Sequence, residues 1–156
     1  MLLRRIGFGF FSLGFLTTIT FNTLPANSQN ACQAALNKTR NTLISKKVKV
    51  NYISTFDMRE RGWKQYPSKY PVGVSVVFEG RAAESIMASP AFLKALGHEI
   101  VMSCEPVSIV DFGIYGTDYI NTLGLLGTNK VEWFECIYPS DSQNIDTLPW
   151  GYTWCL

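Results

Sequence analysis

Four cysteines, Cys32, Cys104, Cys136 and Cys155, follow a stretch that reads as an export signal, and this pairing constrains the fold more than any other feature. Arg4 and Arg5 lie just inside the start, and the next charged residue is Lys38. Between them Ile6 to Leu16 forms a short apolar block, followed by the turn-prone Leu24-Pro25-Ala26-Asn27-Ser28. That order of charge, apolar block and small residues is the order of a secretory signal peptide. Cleavage is expected after Ser28, with Ala26 as the near alternative, so residues 1–28 form the leader and 29–156 a single domain. Gly7, Gly9, Gly14 and Ser12 interrupt a block already short for a bilayer, which weighs against a retained membrane span. The expected destination is secreted or periplasmic, where paired thiols oxidise.

Four cysteines allow three pairings, and spacing alone does not choose among them. The expectation is Cys32–Cys104, tying the mature N-terminus to the middle of the chain, with Cys136–Cys155 around the tail. Loop-closure entropy puts each bridge at about 3–4 kcal/mol. No Cys-x-x-Cys occurs and His98 is the only histidine, so neither a metal nor a redox cofactor is expected.

Composition narrows the class further. With 156 residues, 47% apolar and 17% charged, the chain suits one folded domain rather than a disordered one. Removing Arg4 and Arg5 leaves the mature charges balanced, so there is no specific nucleic-acid signal. The charges are unevenly placed, however. Residues 29–70 hold nine lysines and arginines against Asp57 and Glu60, whereas residues 71–156 hold three against ten acids. Complementary packing of the two halves is the simplest account.

The hydrophobic pattern predicts an α+β domain. Cys32, Leu36, Thr39 and Leu43 recur at helical spacing, predicting a helix over about 31–45 capped by Asn30. Lys47 to Ile53 alternates as a half-buried strand, and Pro71 to Glu79 as a stronger one. A helical turn is expected at 82–88. Ser89-Pro90 then opens a helix whose stripe runs through Phe92, Leu93, Leu96, Ile100 and Cys104, with Gly97 as its weak point. Three β-rich runs follow, Val107–Tyr115, Tyr119–Leu126 and Val131–Tyr138, separated by turn residues. Together these predict an antiparallel sheet, a meander plus one or two further strands, with two main helices on one face.

Catalytic signals are weak, and no catalytic residue is assigned. His98 projects away from the apolar stripe of its helix, and no nucleophile elbow is present. Asp111, Asp118, Glu132 and Glu135 are the acids that could serve a glycoside hydrolase, although alternation puts Glu132 and Glu135 on opposite faces of one strand. The loop 56–70 is more suggestive. Arg59, Arg61, Trp63, Lys64, Tyr66 and Tyr70 interleave rings with cations, a pattern suited to sugar rings or to an anionic polymer or membrane surface. Trp150 and Trp154 form a second aromatic group beside Cys155. Against both stands ordinary core packing of the same rings.

Glu79-Gly80-Arg81-Ala82, Met87-Ala88-Ser89-Pro90, Ser103-Cys104, Val110-Asp111-Phe112-Gly113, Phe134-Glu135-Cys136 and Trp150-Gly151, behind the leader, resemble small exported four-cysteine hypothetical proteins of cyanobacteria. The resemblance implies export and paired cysteines, and no activity. The functional expectation is an exported, disulfide-stabilised binding or envelope component without enzyme activity. A carbohydrate-active hydrolase using the meander acids and a binder of anionic surfaces through 56–70 are the alternatives.

Overall fold

The computed structural model describes residues 26–138 and 148–155. Most of the leader, residues 1–25, and the tail segment 139–147 lie outside them. Helix α1 spans Ala26–Ser45, longer than the periodicity predicts, so Asn30 sits within the helix rather than capping it. Its buried seam is the expected one: Ala35, Thr39 and Leu43 are buried, and Cys32 and Leu36 pack against the core. Thr39 is also the hydroxyl residue of the Asn37-Lys38-Thr39 sequon, and in the folded chain it is fully buried.

A five-stranded sheet forms the centre, in the order β1 (Lys49–Asp57), β3 (Val72–Glu79), β4 (Val107–Ile114), β5 (Ile120–Leu125) and β6 (Val131–Trp133). The β1–β3, β4–β5 and β5–β6 pairs are antiparallel. Strands β3 and β4 are parallel, which corrects the all-antiparallel expectation. The reason lies in the connection. Helices α2 (Ala83–Met87) and α3 (Pro90–Ser103) carry the chain back along the sheet before β4 begins, so β4 starts at the same end as β3. Ser89 stands at the N-cap position before Pro90, but its hydroxyl donates back to the Ser85 carbonyl instead of capping forward.

Both long helices cover one face. Val74, Val76 and Phe78 of β3, Val110 and Phe112 of β4 and Leu123 of β5 share a dry core with Leu43 of α1 and Leu93, Leu96 and Ile100 of α3. Gly97 belongs to this packing rather than weakening it. A Cβ there would run into the Leu123 side chain, so the bare backbone is what lets α3 approach β5. The Cys32–Cys104 disulfide joins α1 to the end of α3 across 72 residues of chain.

The meander departs from expectation at its third strand. Phe134 still donates its N–H to the Thr122 carbonyl on β5, at 3.0 Å, yet the next residue, Glu135, donates to the Gly151 carbonyl in the tail, at 2.8 Å. One residue therefore transfers the chain from the main sheet to a second one. Strand β7 (Glu135–Ile137) pairs in parallel with β9 (Tyr152–Trp154), and Cys136–Cys155 closes that pair. A third small sheet pairs β2 (Trp63–Lys64) with β8 (Leu148–Pro149). Glu132 and Glu135 thus lie on two strands of two sheets.

Candidate functional site

The second face of the sheet carries the residues singled out by the sequence. Across its four inner and edge strands Ser54, Ser75, Asp111 and Thr122 stand in register, a polar row between apolar flanks. The Thr122 hydroxyl donates to Asp111 Oδ1 at 2.7 Å. Asp111 keeps some exposure as a residue, but its carboxyl is crowded. Burial pushes it above the ordinary aspartate value, against the opposing pull of the Thr122 hydrogen bond and of the Arg61 charge.

The loop 56–70 folds over this row. Phe56 lies against Gly73, Met58 is fully buried, and the Arg61 guanidinium stacks 4.4 Å from the Phe56 ring centroid. Arg59 closes back on Asp57 with Nε–Oδ1 at 2.9 Å, and that hydrogen bonding holds the Asp57 carboxyl down at about 2. Trp63, Phe134 and Trp150 meet edge to face, with centroids 4.9–6.4 Å apart. The indole N–H of Trp63 donates to the Tyr152 carbonyl and that of Trp150 to the Leu125 carbonyl. These rings, with Tyr66, form a second small core around Met58, Ile109 and Phe134. Gly124 makes room for it: a Cβ there would stand 2.6 Å from the Phe134 ring.

Of the eight candidate binding residues, then, Trp63, Tyr66 and Trp150 pack onto the second face, while Arg59 and Arg61 are engaged by Asp57 and Phe56. Tyr70 packs against the main core, and Lys64 is exposed on β2. Trp154 has a different setting. It lines an open cleft of about 590 Å³ between the β4–β5 turn and the β7–β9 pair.

This cleft is where the tail, the meander and a disulfide converge. One rim is Asp118, Tyr119 and Ile120, and Tyr119 and Ile120 are about half exposed. The other is Tyr138, Thr153 and Trp154 with the Cys136–Cys155 bridge. Trp133, Phe134 and Thr122 line it as well, and Thr122 is the residue bonded to Asp111. A smaller hollow of about 220 Å³ adjoins it, sharing Tyr119, Asn121 and Trp133 and reaching Met87 and Pro90 at the α2–α3 junction. The Asn121 amide donates to the Met87 carbonyl there, at 3.2 Å.

The acids of the meander are dispersed by this arrangement. Asp111 lies under the second face with Thr122, Glu132 pairs with Lys94 of α3, Glu135 is exposed on β7, and Asp118 sits on the cleft rim. The Lys94 hydrogen bond holds the Glu132 carboxyl below its ordinary value. Among the described residues no group of three or more His, Cys, Asp or Glu side chains could hold a metal ion, and no helix is long and apolar enough to cross a membrane. Sequence reasoning missed Tyr119, Trp133 and Tyr138, because an aromatic every few residues in a β-rich run also describes ordinary core packing. Comparisons with protein-family models, curated proteins and solved structures found no match.

Proposed function

We propose that this protein works outside the cytosol as a disulfide-locked binding module, and that its working surface is the cleft between the β4–β5 turn and the β7–β9 pair. The observation that carries this reading is the position of the Cys136–Cys155 bridge in the cleft wall. Without that bridge β9 keeps a three-residue ladder to β7 and the Trp63–Tyr152 hydrogen bond, and a ladder that short does not fix a rim by itself. The leader pattern and the even cysteine count support the compartment.

Two measurements test it. Amino-terminal sequencing of the natural product should begin at Gln29 or Asn27, and a chain retaining Met1 would remove the compartment from the reading. Trp133 and Trp154 line the cleft, so ligand entry should change intrinsic fluorescence. Trp154→Ala should reduce the response and shift it to about tenfold higher ligand concentration, while leaving the melting temperature close to that of the parent protein.

The basic-aromatic loop is the weaker surface, because Arg59 and Arg61 already have partners within the loop. Lys64 and Lys69 remain exposed. Retention on heparin-like polymers is expected to be slight and to vanish at modest salt.

A further inference from the structure

We infer that the cleft takes an uncharged, extended glycan, one that also runs into the adjoining hollow beside Met87 and Pro90; this rests on the binding-module reading above. The lining chemistry is the first ground. Sugar rings present apolar C–H faces and hydroxyl edges, so a receptor needs exposed flat rings together with neutral hydrogen-bonding groups. Tyr119 and Tyr138, 48% and 61% exposed, and Trp154 supply the rings. Asn121, Thr153 and the tyrosine hydroxyls supply the polar groups.

Charge is the second ground. Asp118 is the one charged side chain among the described residues lining either hollow, and neither contains a lysine or arginine. A polyanion would meet a carboxylate and no counter-charge, which selects against it. Shape is the third. The two hollows share Tyr119, Asn121 and Trp133, so together they offer one continuous open surface, with room for more than one ring, rather than a closed pocket for a compact ligand.

The test is titration of the purified oxidised protein, followed by tryptophan fluorescence and calorimetry. The probes are neutral oligosaccharides of glucose, xylose or N-acetylglucosamine from two to six units, with oligogalacturonate, choline and an extended neutral peptide beside them. One neutral series should bind, tightening about tenfold or more with length as successive rings are engaged. Tyr119→Ala and Trp154→Ala should each weaken it about tenfold. Asp118→Asn should raise the affinity of oligogalacturonate relative to the neutral series, because it removes the carboxylate that a polyanion meets. Failure of every neutral series while choline or peptide binds in a Trp154-dependent way would overturn the glycan assignment and leave the cleft reading intact. Glycan binding that Tyr119→Ala and Trp154→Ala both leave unchanged would overturn the two together. Preference for oligogalacturonate over its neutral counterparts would overturn the charge argument and the assignment with it.

Discussion

The two faces of the central sheet are closed by different means. On one face, two helices lay regular aliphatic stripes over Val74, Val76, Phe78, Val110 and Phe112, and the result is dry. On the other, a loop and a tail segment bring in aromatic side chains from distant positions, over a row of polar groups that includes a desolvated carboxylate. Periodic elements bury a face completely. Irregular ones leave a seam where their edges meet, and here that seam is the cleft.

Both faces end in a disulfide, so removing each bridge separately gives the largest contrast. Cys32→Ser with Cys104→Ser opens a 72-residue loop and should cost about 4 kcal/mol, seen as a lower denaturant midpoint for the whole domain. Cys136→Ser with Cys155→Ser opens 19 residues and should cost about 3 kcal/mol. The second pair should in addition abolish ligand-induced fluorescence change under conditions where the domain remains folded. Equal loss of binding from both pairs would break the distinction between the faces.

Two glycines probe packing on the same two faces. Gly97→Ala would press α3 against Leu123, and Gly124→Ala would press the sheet against Phe134. Each should destabilise by about 1–3 kcal/mol in denaturant titrations. Only the second should also alter the near-ultraviolet spectrum of the Trp63–Phe134–Trp150 cluster, because only it displaces those rings.

Smaller effects concern the titrating groups of the second face. Because the folded protein binds the Asp111 proton more tightly than the unfolded chain does, the contribution of this group is full below the ordinary aspartate value. It is lost as pH rises through the folded value. Above the folded value the ionised carboxyl opposes folding. Asp111→Asn keeps an acceptor for the Thr122 hydroxyl and removes that charge, so it should raise the melting temperature at neutral pH and give no gain near about pH 3. A lower melting temperature at neutral pH would show that ionised Asp111 holds Arg61 and the loop in place. Asp57 has the opposite sign. Its carboxyl is depressed to about 2 by Arg59, so its contribution is present above about pH 4 and is lost as pH falls toward 2. Asp57→Asn should flatten that acid limb slightly, since the pair is exposed.

How much of this was legible beforehand follows the same division. The α1 seam and the β3 alternation were readable because a helix or strand with one buried face must repeat its apolar residues at its own period. Helix propensity makes Gly97 a weak point, since it registers the lost side chain but not the Leu123 methyls that require its absence. The pattern puts Phe134 in a continuous strand, because nothing local marks a residue that changes sheets when its neighbours remain β-rich. In the loop, Trp63 can be read as a ligand platform or as a core residue, and its hydrogen bond to Tyr152, 89 positions away, and its ring contacts with Phe134 and Trp150 place it in the core.

The sequence by itself determined the α+β class, the helix and strand faces and the supply of four thiols, all of which depend on local periodicity and on residue chemistry. Tertiary structure alone decided the parallel β3–β4 pair, the transfer at Phe134 and the assembly of Tyr119, Tyr138 and Trp154 around one cleft. These depend on contacts between segments far apart in the chain, and such contacts leave no period in the sequence from which they could be read.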